Sequence, residues 1–243
     1  MLFRYPLTFI SAYLLCRSPS DRIVELRSGL KIHLSEHPHD VITVFVIFVR
    51  EDYGSIQPGG IVVDIGANIG IFSLYAAHNG AARVIAYEPN SEAYYFLLQN
   101  IKANHMEGVV IPWRFAVTGT PGGQVRFPTK LSMYNAIITD DDYTDFEWVN
   151  TIGLPEILDQ TGDVNLLKLD CEGAEYAILI SASLDSYAMI QNIRLEYHFG
   201  REQDIENHLA QYGFVKRHSK ADTANSGNMW YEKASSVKGH KST

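Results

Sequence analysis

The chain has 243 residues, 46% of them hydrophobic, and a formal net charge of −8. That length and apolar share suit one large globular domain better than two. The acidic balance counts against a nucleic-acid backbone as the main partner, because neutralising phosphates needs a basic face.

The chain opens with "MLFRYPLTFISAYLLCRSPS", whose apolar run Leu7 to Cys16 is too short to span a bilayer. It has one basic residue ahead of it and no small-x-small cleavage site behind it, so a helix packed on the domain is expected, with weak membrane-surface contact as the alternative. "DRIVELRSGLKIHL" alternates apolar and polar around Ser28-Gly29 and predicts a β-hairpin. "DVITVFVIFVREDY" fits either a strand, from its β-branched residues, or a helix capped by Asp40. Residues 1–55 therefore read as an N-terminal helix and hairpin extension.

From "QPGG" the pattern becomes regular: strand "IVVDIG", helix "NIGIFSLYAAHNG", strand "ARVIAYEP", helix "SEAYYFLLQNIKANH" with Ser91 as its cap, and strand "GVVIPWRFAV". Pro112 marks that last strand as an edge. Alternation with short links means a parallel, doubly wound sheet. Residues 118–150 break the rhythm, with a strand "QVRFP" and a polar stretch "TKLSMYNAIITDDDYTDFEW" long enough to cover a binding site. Tyr134, Asn135 and Trp148 on it are candidates for stacking on or hydrogen-bonding an acceptor. Helix "LPEILDQTG", strand "VNLLKLD", helix "GAEYAILISAS", strand "IQNIRLEYH", helix "EQDIENHLAQYG" and closing strands "FVKRHS" and "NMWYEK" complete a core over residues 56–233. A polar tail from residue 234 to 243 is expected to be disordered.

In an open parallel sheet, ligands sit beyond the carboxyl ends of the strands. Three strand ends qualify: Asp64 to Gly70, Tyr87 to Asn90, and Asp170 to Glu175. The loop "DIGANIG" follows a strand and opens a helix, but Asn68 stands where the dinucleotide fingerprint needs its second glycine. Asp64 beneath the loop would repel a pyrophosphate. S-adenosylmethionine (SAM), with an ammonium and a sulfonium and no phosphate, suits Asp64, Gly66, Asn68 and Gly70 better than NAD does. Glu88 ends the next strand about 20 residues past the first glycine, where an acid hydrogen-bonds ribose hydroxyls.

The blocks "VVDIGANIGIFSLYAA", "VIAYEPN" and "LLKLDCEGAEYAIL" resemble the signature blocks of the FkbM family of SAM-dependent methyltransferases. The resemblance runs from about the hairpin to His198, and the K-x-D-x-E-G-x-E block is its most selective part. It implies a Rossmann-like seven-stranded sheet, SAM as methyl donor, and O-methylation of a sugar or natural-product hydroxyl. It also implies that Asp64, Gly66 and Gly70 hold the methionine part of SAM, Glu88 the ribose, and Phe115 and Ala116 the adenine. In the family the "DVITVFVIFVREDY" region is helical. One departure is Pro155, where the family commonly carries aspartate after the leucine.

Asp170 ends the strand expected beside the first one, so its carboxylate should face the methyl-transfer centre and orient or deprotonate the acceptor hydroxyl. Lys168, two residues earlier on the same face, is placed to pair with a carboxylate. Glu172 is a second candidate catalytic acid, whereas Glu175 reads as a helix N-terminal charge. Glu196 and His198 share a face at the end of "RLEYH", with His198 a candidate base and Glu196 a candidate acceptor contact. Asp170, Glu196 and His198 would be the donors for a divalent metal, but no tight ligand motif appears and none is expected. Two cysteines, Cys16 and Cys171, form no disulfide framework, so a reduced, cytoplasmic setting is expected.

Overall fold

The computed structural model describes residues 2–130, 135–140 and 142–234. Tyr134 and the polar tail beyond Ala234 lie outside them.

The extension comprises helix α1 (Pro6–Leu14), the antiparallel pair β1 (Ile23–Glu25) and β2 (Lys31–His33), and helix α2 (Asp40–Phe48). The hairpin forms as its alternation predicts. The ambiguous segment is helical, because Val41, Val44, Ile47 and Phe48 recur at helical spacing and all four are buried. Asp40 is not its cap, however. It is the first residue of the helix, and its carboxylate turns back to accept from the Ser35 amide at 2.6 Å and hydroxyl at 2.7 Å. Helix α1 buries Phe9 and Ala12, while Leu7 and Leu14 stay 81% and 73% exposed. Among the described residues no helix is long and apolar enough to cross a membrane.

The core then runs β3 (Ile61–Ile65), α3 (Ile71–His78), β4 (Arg83–Tyr87), α4 (Ser91–Ala103), β5 (Val110–Trp113), β6 (Ala116–Val117), β7 (Gln124–Pro128), β8 (Phe146–Ile152), α5 (Leu154–Thr161), β9 (Val164–Leu169), α6 (Glu175–Ile180), α7 (Leu184–Ala188), β10 (Ile190–Tyr197), α8 (Glu202–Gln211), β11 (Phe214–Ala221) and β12 (Gly227–Lys233). Seven strands form the main sheet in the order β11-β12-β10-β9-β3-β4-β5, a Rossmann-like α/β arrangement. The five strands from β10 to β5 are parallel, and β12 pairs antiparallel with both β10 and β11. β3 and β9 read as nearly continuous apolar runs because helices cover both faces of a parallel sheet. β5 is the edge strand that Pro112 predicts.

Four local expectations change. "GVVIPWRFAV" is two strands, since β6 leaves the main sheet to pair with β8. The polar stretch after residue 130 ends in strand β8, which with β6 and β7 makes a separate three-stranded sheet. "GAEYAILISAS" breaks after Ile180, and α7 starts afresh with the Ser183 hydroxyl accepting from the Ser186 amide. The cap of α4 is Asn90, whose side chain accepts from the Ala93 amide at 2.9 Å, with Ser91 one residue inside the helix.

One hydrophobic cluster joins the extension to α3, α4 and one face of the sheet, including Leu26, Ile32, Val44, Phe72 and Leu74. A second lies on the other face beneath α5, α6, α7 and α8. The extension thus forms part of one helical layer, with α2 reaching over the carboxyl ends of the strands.

Candidate active site

A cleft of about 500 Å³ opens at those carboxyl ends, where β3 and β9 lie side by side. That is ample for a cofactor-sized ligand. Gly66, Asn68, Glu88, Phe115, Ala116, Asn135, Asp170, Glu172, Glu196 and His198 all line it. Trp148 does not: it is 59% exposed on β8, edge-to-face with Phe146 at 5.7 Å. Asp64 and Gly70 also stand back from the cleft wall.

The loop between β3 and α3 is held in shape by its own amides. Gly66 and Ala67 both donate to the Tyr87 carbonyl at 3.0 Å, and Asn68 donates to Glu88 Oε2 at 2.7 Å. Gly66 has φ +78°, and a Cβ on it would fall 1.8 Å from the Asp170 carbonyl oxygen. Only glycine fits there, because the β3 and β9 ends touch through backbone. Asn68 sits at φ 52°, a left-handed conformation that asparagine tolerates, and its side chain accepts from the Ile69 amide. Asn68 therefore shapes the turn where a dinucleotide site would need bare backbone.

Asp64 is fully buried. Its carboxylate accepts from the Ser73 hydroxyl at 2.6 Å and pairs with Lys168 at 3.1 Å. Lys168 also donates to the Gly66 carbonyl at 2.7 Å and stands 3.8 Å from Asp170. Burial opposes the charge on Lys168, but Asp64 and Asp170 outweigh it and raise the pKa of the ammonium. Asp64 is held by this lysine and serine, beneath the loop. Glu88 is buried and accepts from the amides of Asn68 and Asn90 at 2.7 and 2.8 Å. Burial outweighs both hydrogen bonds and pushes its carboxyl up to about 7.

The other end of the cleft is acidic. Asp170 Oδ2 accepts from the Tyr53 hydroxyl at 2.9 Å. His198 lies among three carboxylates: Nδ1 is 3.2 Å from Glu175, and Nε2 is 3.4 Å from Glu172 and 3.9 Å from Glu196. Burial works against an imidazolium here, but the Glu175 hydrogen bond and the surrounding carboxylates prevail and raise the pKa of His198. The ring is thus held by Glu175 on one side, with Glu172 and Glu196 on the other. Burial, then Asp170, pushes Glu172 up to about 7. Glu175 is 2% exposed, accepts from the amides of Cys171 and Gly173, and fixes the His198 ring. Its role exceeds a helix-end charge, and its place in the K-x-D-x-E-G-x-E block is the signal that could have found it. Asp170, Glu172 and His198 bring donor atoms within 4.8 Å of one another. These three are the groups a divalent cation could draw together, with Glu172 in the place expected of Glu196. Asn135 donates to the Lys130 carbonyl at 3.1 Å from the cleft wall.

Residues 64–216 match the sequence model of the Methyltransferase FkbM domain. The chain belongs to the FkbM methyltransferase family. The matched segment spans the glycine loop, both acidic strand ends and His198. The cleft suits SAM on its own terms: Gly66, Asn68 and Glu88 line it, with the acid Glu88 following the end of β4 and Asp64 buried beneath the loop where a pyrophosphate would meet a carboxylate. Among curated proteins, the ribosomal protein L11 methyltransferase of Bacillus cytotoxicus is 31% identical over 93 residues, 38% of this chain and 28% of that protein. That of Bacillus cereus is 30% identical over the same length. The chain thus spans under a third of the length of the curated relatives it matches. A putative tRNA (m1A22) methyltransferase of Streptococcus pneumoniae in complex with SAM superposes with a TM-score of 0.51 at 14% identity, over 76% of this chain and 71% of that one. TrmK of M. capricolum in complex with S-adenosylhomocysteine gives 0.51 at 10% identity, over 76% and 67%. These structural likenesses establish the shared fold.

Proposed function

We propose that this FkbM-family protein transfers the methyl group of SAM to a hydroxyl of a small polyhydroxylated acceptor, a sugar or a natural product. The observation that carries the reading is the acidic acceptor end: Asp170, Glu172 and Glu196 line it together with Asp222. Carboxyl oxygens accept hydrogen bonds from hydroxyls in either protonation state, and burial raises Glu172 to about 7 and Glu196 to about 8, so this end suits hydroxyls by hydrogen bonding. The named relatives are methyltransferases of ribosomal protein L11 and, as a putative activity, of tRNA, whereas the formal net charge of −8 on this chain suits an RNA backbone poorly.

Glu88 would accept from the ribose hydroxyls, with Phe115 and Ala116 against the adenine. When bound, SAM supplies an electrophilic methyl whose sulfur leaves as a neutral thioether. Asp170 accepts the hydrogen bond of the acceptor hydroxyl, aims its lone pair, and takes its proton as the ether forms. His198, oriented by Glu175, stands beside Glu172 and Glu196 at the acceptor end. A cytoplasmic setting belongs to the same proposal and rests on two free thiols, one of them exposed.

Tritiated SAM supplied with methyl glycopyranosides, with ribosomal protein L11 and with bulk tRNA, each with and without Mg2+, tests the acceptor class. Transfer to the glycosides is expected, and transfer confined to L11 or tRNA would overturn the reading. Asp170→Asn should keep SAM affinity within about threefold while lowering turnover at least ~10²-fold, the usual size of a lost general base. Equal loss of SAM binding would make Asp170 a cofactor ligand.

A further inference from the structure

The last residues of the extension, Asp52 to Ser55, carry four successive carbonyls, and each is held by a side chain of the core. Trp230 Nε1 donates to Asp52 at 2.8 Å, Arg194 to Tyr53, the Tyr75 hydroxyl to Gly54 at 3.1 Å, and Arg194 again to Ser55 at 2.9 Å. Arg194 also stacks on the Trp230 ring at 4.9 Å. Gly54 has φ +62°, and a Cβ there would meet Trp230 at 2.9 Å and Arg194 at 3.0 Å. A loop whose four carbonyls are all held from outside itself is tied to the core along its length.

That loop delivers one group to the cleft. Tyr53 is 4% exposed, its ring lies 5.2 Å from that of Phe72, and its hydroxyl meets Asp170 Oδ2. Oδ1 of Asp170 accepts no hydrogen bond from the described residues. Burial, then the neighbouring Asp170 and Glu196, hold the Tyr53 phenol protonated far above its usual range, so it donates at every working pH.

We propose that Tyr53 is a positioning residue for Asp170, held by a latch of Arg194, Trp230 and Tyr75, so that Oδ1 is the oxygen offered to the acceptor. The extension then completes the catalytic geometry as well as covering the core. This inference rests on the methyl-transfer reading of Asp170, and its test is chosen to be separable from it.

The test uses full-length protein carrying 13Cγ-labelled aspartate, with the Asp170 signal assigned by its loss in Asp170→Asn. Tyr53→Phe is expected to move or broaden that signal, and Arg194→Gln should do the same while speeding hydrogen exchange of the 52–55 amides at least tenfold. The remote Tyr95→Phe should change neither. On methyl glycopyranosides, Tyr53→Phe should lower kcat tenfold or more with SAM affinity within twofold. The Tyr53→Phe/Arg194→Gln double variant should be no worse than the worse single, because both act through one contact. An Asp170 signal unmoved in Tyr53→Phe overturns the proposal whether or not glycosides are methylated. So do multiplicative losses of kcat in the double variant. SAM titration of the same samples reports separately on the methyltransferase reading, and Arg194→Lys serves if the glutamine variant unfolds.

Discussion

Glu88 carries a pH signature set by its burial. Burial raises its folded-state pKa from 4.5 to about 7, so the folded protein holds a proton that the unfolded chain has released. The stability this contributes is present below pH 4.5 and is lost as pH rises through 7, in total up to about 3 kcal/mol. Chemical denaturation at stepped pH from 4.5 to 8 should show that decline. Glu88→Gln should remove its share of the decline, leaving that of Glu172, Glu196 and His198, while lowering stability overall, because its amide nitrogen must face one of two backbone donors. Gly66 poses a steric question of the same scale. Gly66→Ala should weaken SAM binding at least tenfold by calorimetry, since a methyl 1.8 Å from the Asp170 carbonyl must drive the loop and the β9 end apart.

Among the elements, α4 is tied to the hairpin by side-chain amides as well as by the apolar cluster they share. Asn100 accepts from the His33 amide at 2.6 Å and donates to the carbonyls of His33 and Ile69, while Asn104 accepts from the Lys31 amide one turn further on. Asn100 is fully buried, so Asn100→Ala would leave its backbone partners unpaired in the interior. A loss of about 2–4 kcal/mol in urea denaturation is expected, above the roughly 1–3 kcal/mol of one unsatisfied buried group. Asn104→Ala, at a more exposed contact, should cost less. Alternation made the hairpin readable from its residues, but nothing local in "QNIKAN" points to β2, about 70 residues away in the chain.

At the scale of the whole molecule, the extension and one face of the sheet share a core. Ile32 on β2 is fully buried in the cluster that also holds Phe72 and Leu74 of α3. Ile32→Ala should cost about 2–5 kcal/mol, the range for a large buried aliphatic side chain cut to alanine, in one cooperative transition. Removing residues 1–55 would bare Phe72, Leu74 and Tyr75 and take away Tyr53. The truncated chain should aggregate or fail to bind SAM, as read by light scattering and calorimetry.

The strand and helix alternation, the glycine loop with Asp64 and Glu88, and the acids of "LLKLDCEGAE" were all legible in the residues, because periodicity, turn chemistry and strand-end position act over a few neighbours. The sequence by itself therefore determined a parallel α/β sheet with a nucleoside cleft at its carboxyl ends. The tertiary structure alone decided who touches whom there. It turned Asp64 inward to Lys168, gave Glu175 the task of fixing His198, left Trp148 outside the cleft, and brought Tyr53 across more than a hundred residues to Asp170. Each of these depends on which strand ends become neighbours and how deeply a side chain is buried. Both are set by packing between segments that carry no local record of one another.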